Sequence, residues 1–172
     1  MIQDAITWVL SNAGIVLFVV AIITSFAKVR RARTARQSPS VASIFWSEIL
    51  FYAVGIGFVY YGLLHAYAQN IAAPSIGWLP SPFEYELGWV EIGLGVSAIL
   101  SLWRGYDFRL ALSIPFVIFS WAAAAQHIQL IICCHNMAPG NAGLILWFSD
   151  IAVPLIVLVL AILSSRSVED PK

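Results

Sequence analysis

The chain has 172 residues, 60% of them hydrophobic and 10% charged, with a mean hydropathy of +0.86, which excludes an ordinary soluble globular domain. Its 9 Lys and Arg balance 9 Asp and Glu, so the strong basic field of a nucleic-acid binder is excluded as well. The expected class is all-α: an integral membrane helical bundle in one domain over residues 1–172, with the lipid bilayer as its solvent.

Five apolar stretches approach the roughly 20 residues needed to cross a bilayer core: 5–27, 43–68, 83–103, 110–133 and 142–164. The first has Asp4 in place of a basic leader, a run too long for a signal peptide, and its basic cluster after the run. It therefore reads as a retained helix. A basic loop over 28–42 follows, with Lys28, Arg30, Arg31, Arg33 and Arg36, a topology signal suited to anionic lipid. Arg104 and Arg109 join spans three and four, and Arg166 and Lys172 close the chain. With five spans every basic residue falls on one side, and the positive-inside rule places the N-terminus outside and the C-terminus in the cytoplasm of an inner membrane.

With that topology the polar residues inside the spans share a leaflet. Asn12 lies two turns into span one, His65 near the outer end of span two, Glu86 and Glu91 in the first turns of span three, His127 before the end of span four, and Asp150 two turns into span five. Each ionisable group at such depth costs about 2.5–3.5 kcal/mol and ordinarily faces the bundle interior, so one shared site explains them better than five separate costs. Only Glu48, at the opposite end of span two, stands apart. Periodicity agrees with inward facing: Ser113, Ser120 and His127 recur every seven residues, and Gly88, Glu91 and Gly95 occupy one face of span three. Glu86 is about 140° round from Glu91. Pro154 withholds an amide from the carbonyl of Asp150, four residues back.

Other polar residues have plainer roles. Ser81, Pro82, Phe83 and Glu84 form a capping box with proline at the first helical position. Trp46, Trp78, Trp89 and Trp147 read as interfacial belt residues. Cys133 and Cys134 are adjacent and read as free thiols; with His135 they form a weak candidate for a metal-contacting lip, without the spacing of a structural zinc site.

The segments HAYAQNIAAPS, IGWLPSPFEYELGWVEIGLGV, AQHIQLI and NMAPGNAGLILWFSDIAVP resemble a family of small bacterial multi-span membrane proteins catalogued only as a domain of unknown function. The resemblance covers roughly residues 44–160. It implies roles for Glu48, His65, Glu86, His127, Pro139 to Gly143, Asp150 and Pro154, and implies no reaction.

Four functions fit these residues. The first is an intramembrane transition-metal site, iron, zinc or manganese, held by His65, Glu86, Glu91, His127 and Asp150, since mixed imidazole and carboxylate ligation suits those ions. It would act on a small or lipid-soluble substrate by redox chemistry, or store the metal. The second is a proton- or cation-coupled transporter of a small solute, which at five spans calls for a homo-oligomer. The third is haem b held between His65 and His127. The fourth is a structural or partner-binding subunit with a hydrogen-bonded polar core. No nucleophile with its base, Walker loop, dinucleotide fingerprint or HExxH motif is present.

Overall fold

The computed structural model describes residues 12–38 and 40–169. Asp4, the start of span one and Lys172 lie outside the described residues. Five helices are long and apolar enough to cross a membrane, and no strand occurs among the described residues. They are α1 (Ala13–Thr34), α2 (Val41–Tyr67), α4 (Phe83–Trp103), α5 (Tyr106–Cys134) and α7 (Ile145–Ala152 continued by Val153–Glu169). Two short helices, α3 (Gln69–Ser75) and α6 (Pro139–Ala142), lie in the connections at one end.

The third span has the expected bounds; the first does not. α1 continues through the basic cluster to Thr34, so most of the predicted loop is helix. Arg and Lys are good helix formers, and cations are stabilised at a helix C-terminus. The helix stops where Arg36 turns left-handed at φ 57° and Gln37 N–H bonds back to Ala32 O at 3.0 Å.

Neighbouring spans run antiparallel, so Lys28, the Arg30 to Arg36 cluster, Arg104 and Arg109 gather at one end, called here the basic end. Glu48 is buried there and pairs with Lys28 at 2.5 Å. Arg109 binds Ser43 Oγ at 3.2 Å and the Ser101 carbonyl at 3.1 Å, tying the starts of α5 and α2 to the end of α4. The half of the bundle that adjoins the basic end has an apolar core that includes Trp46, Ile49, Leu50, Val54, Phe116 and Val157. Trp46 is fully buried against Tyr106, which corrects its expected place in an interfacial belt. Trp89 and Trp147 are exposed on the helix surfaces.

α2 and α7 are the central helices, α2 between α1 and α4 and α7 against α5 and the start of α2. The tightest pairing is α2 with α4, where glycines let the backbones meet. A Cβ at Gly62 would lie 2.6 Å from the Gly88 carbonyl, and one at Gly95 would lie 2.8 Å from the Gly55 carbonyl. Gly88→Leu is expected to cost about 3 kcal/mol or more, read as a lowered Tm in detergent. Gly93→Ala, on an open face of the same helix, should change stability by no more than about 1 kcal/mol. Equal losses in the two variants would show that backbone approach is not what fixes this helix pair.

Both central helices contain π-helical turns, Leu50–Ile56 in α2 and Ile145–Ala152 in α7. Such widened turns are uncommon and frequently accompany functional sites. At the second, Val153 N–H reaches Phe148 O, five residues back. In that register Pro154 deprives the carbonyl of Ser149, not the expected Asp150.

Candidate functional site

The far half of the bundle, away from the basic end, carries the polar groups, as the shared leaflet implied, but it holds them as two groupings on different helix pairs.

The first lies between the end of α2 and the start of α4. His65 Nδ1 is 3.4 Å from Glu84 Oε2, and Glu84 is only 1% exposed. Its other oxygen accepts the Ser81 N–H at 3.3 Å, the back-reaching half of a capping box, while no side chain caps the helix from Pro82. Glu84 therefore serves both the helix start and the histidine. Glu86, the expected acid, is exposed. At 100° per residue, Glu84, Gly88, Glu91 and Gly95 form one face and Glu86 points away from it. Glu84→Ala is expected to lower stability by about 1–3 kcal/mol, the range for a lost cap and an abandoned buried partner. Glu86→Ala should stay within about 0.5 kcal/mol; thermal unfolding that ranked the two the other way would reverse this assignment.

The second grouping joins α4, α5 and α7. Ser113, Ser120 and His127 are all buried, as their spacing predicts, and His127 faces α7, where its Nε2 lies 3.8 Å from Asp150 Oδ2. Glu91, 8% exposed, is close enough to interact electrostatically with Asp150, and Tyr61 of α2 is within reach of both. The Tyr61 hydroxyl accepts the Gly14 N–H at 3.1 Å, one of the free amides of the first turn of α1. Gly14 also packs against Ser149, next to Asp150, so α1, α2, α5 and α7 meet around this point, and Glu91 of α4 acts on it through charge. Glu91 Oε2, Asp150 Oδ2 and Ser120 Oγ are buried and make no hydrogen bond among the described residues.

Asn141, in the loop Pro139 to Gly143, sets the state of His127. Its amide nitrogen donates to the carbonyls of Asn136 at 2.8 Å and His127 at 3.3 Å. That fixes which way the amide points, so Oδ1 faces His127 Nδ1 at 2.7 Å as an acceptor. Nδ1 must then carry the proton, and in the neutral ring Nε2 is a bare lone pair 3.8 Å from Asp150 Oδ2. A lone pair beside an ionised carboxylate is repulsive, and a proton or a cation between them would relieve it.

The connections close over this point. Asn136 Nδ2 donates to Ile76 O at 2.9 Å, and a Cβ at Gly140 would lie 2.8 Å from the Ser75 carbonyl. Gly77 holds φ +75°, open chiefly to glycine, and Trp78 follows it, half-buried, with its ring 6.3 Å from that of His127. Trp78 is thus a cover for the site rather than a plain belt residue.

His65, Glu86, Glu91, His127 and Asp150 do not form one ligand sphere. Among the described residues no group of three or more His, Cys, Asp or Glu could hold a metal ion. Cys133 and Cys134 are free and exposed, as expected, but gather no third ligand with His135. Sequence reasoning reached Asn141 only as part of the loop Pro139 to Gly143, without its contact to His127, and passed over Tyr61 and the histidine-facing role of Glu84. Glu84 alone carried a readable signal, its spacing of four from Gly88.

No curated protein and no solved structure matches the chain. The family resemblance read from the loop and span motifs holds over nearly the whole length: residues 11–170 match a family of unknown function (DUF6790), and the chain belongs to that family.

Proposed function

We propose that this membrane protein uses the grouping of Glu91, His127 and Asp150 to exchange protons, coupling proton or cation movement to the passage of a small solute. In this reading it sits in an inner membrane with its N-terminus outside, its basic end in the cytoplasm and the site in the outer half. Five spans are few for a carrier, so a homo-oligomer is the working unit. The observation that carries the reading is His127 Nε2 lying 3.8 Å from Asp150 Oδ2 while Nδ1 faces the Asn141 amide oxygen. Two carboxyls and an imidazole buried together are costly unless protons or a cation neutralise them. Groups of this kind make proton relays within membranes.

The test is infrared difference spectroscopy of the reconstituted protein during a pH titration. A carboxylic-acid C=O band that responds to bulk pH and disappears in Asp150→Asn or Glu91→Gln is expected. A band indifferent to bulk pH would make these groups a hydrogen-bonded structural core and overturn the reading. Elemental analysis and an absorption spectrum of the same preparation address the cofactors. Near-stoichiometric iron, zinc or manganese lost in folded His127→Ala would replace proton exchange with a metal centre, and a Soret band would replace it with haem.

A further inference from the structure

At the basic end, α1 presents a groove of about 700 Å³ lined by Phe26, Ala27, Arg30, Arg31, Thr34 and Ala35. These positions follow from helix geometry: 26, 30 and 34 make one row and 27, 31 and 35 the next. The groove is therefore apolar toward the middle of the membrane and cationic toward the helix end. Phe26 is 62% exposed and meets Phe45 of α2 edge to face at 5.1 Å, so the apolar part continues onto a second helix. Arg30 and Arg31 are exposed and form no ion pair among the described residues. Lys28, by contrast, is spent on Glu48.

We propose that this groove is a binding site for one anionic phospholipid of the leaflet that the basic end reaches. The phosphate would be held by the Arg30 and Arg31 guanidiniums, since the Thr34 hydroxyl already donates to the Arg30 carbonyl at 3.0 Å, and an acyl chain would lie along Phe26 and Phe45. A guanidinium offers planar, paired donors to phosphate oxygens, and basic residues at a membrane surface favour anionic lipid. The apolar and charged parts occur in the order in which a lipid presents its chain and headgroup. A soluble anion would use only the charged part and leave Phe26 without a role. The inference is independent of proton exchange, because it concerns the opposite end of the bundle.

The experiment is native mass spectrometry of the full chain released from mixed micelles of phosphatidylglycerol and phosphatidylcholine. One phosphatidylglycerol retained in preference to phosphatidylcholine is expected, and Arg30→Gln with Arg31→Gln should lower that preference roughly tenfold or more. Arg33→Gln with Arg36→Gln removes the same charge from residues that do not line the groove and should leave the preference in place. The exchanges at Arg30, Arg31 and Arg33 replace one good helix former with another, and Arg36→Gln replaces one non-glycine residue by another in the left-handed turn, all on an exposed surface, so the fold is retained. Phe26→Ala should weaken retention without changing charge. Equal losses in the two arginine pairs, no preference in the wild type, or displacement of the lipid by inorganic phosphate at matched concentration would each overturn the proposal.

Discussion

Asn141→Leu is expected to unfold the far half of the bundle or lower its stability by about 3 kcal/mol or more, since several buried polar groups lose their partner at once and each costs about 1–3 kcal/mol. Asn141 is fully buried. The substitution abandons His127 Nδ1 and the carbonyls of His127 and Asn136. Asn141→Asp separates packing from hydrogen bonding: it keeps the acceptor for Nδ1–H and loses both donations to carbonyls. It should fold with a lowered Tm and keep the wild-type tautomer, while Asn141→Ala, where it folds, should free the ring to populate both. The readout is the pair of ¹⁵N shifts of the His127 ring. A wild-type ring with its proton on Nε2 would contradict the assigned role of Asn141, whatever the stability data showed. Stability alone cannot distinguish a positioning residue from a packing one, and the tautomer can.

The spans were legible because a continuous apolar run of membrane length has few other uses, and the inward faces of α4 and α5 were legible because glycine, serine and acid recur at helical spacing. The two π-helical turns were not, since neither LFYAVGI nor ILWFSDIA carries a local mark that separates a widened turn from an ordinary one. The five residues expected to share one ligand sphere are divided for a geometric reason. Residues that share a leaflet share a sphere only if their helices surround one axis, and here α2 and α7 are both central. His65 looks across the α2–α4 seam to Glu84, whereas His127 looks across the α5–α7 seam to Asp150. Depth can be counted along a sequence, but rotation and neighbours cannot. The choice of Glu86 over Glu84 came from the same limit: Glu84 already had a reason in the capping box, and a residue with one role can hold a second that only the partner helix reveals. The resemblance marked the loop that holds Asn141, but its hold on His127 was not legible, because a loop residue 14 positions after the histidine it orients has no periodic relation to it.

Asp150→Asn should abolish proton exchange while leaving the protein as stable as before or more so. Asp150 Oδ2 is buried without a hydrogen bond, with Glu91 as a second carboxyl near it. A buried carboxyl in that setting opposes folding whenever it is charged, so an amide of the same shape removes a cost; stabilisation of about 1 kcal/mol is in the range for relieving strain at a functional site. The loss of activity should be large. In proteoliposomes with a trapped pH indicator, wild-type protein should dissipate an imposed gradient faster than empty vesicles. Asp150→Asn should lower the protein-dependent rate about a hundredfold or more, the scale of a positioned proton-transfer group. Glu91→Gln should fall less, because its influence reaches His127 through Asp150. The joint outcome matters more than either half, because a residue that only holds helices together loses stability when replaced, and a residue kept for its proton loses activity. If Asp150→Asn lowers Tm and leaves the gradient decay at the wild-type rate, the Asp150 and His127 pair is part of the scaffold and the proton must move elsewhere.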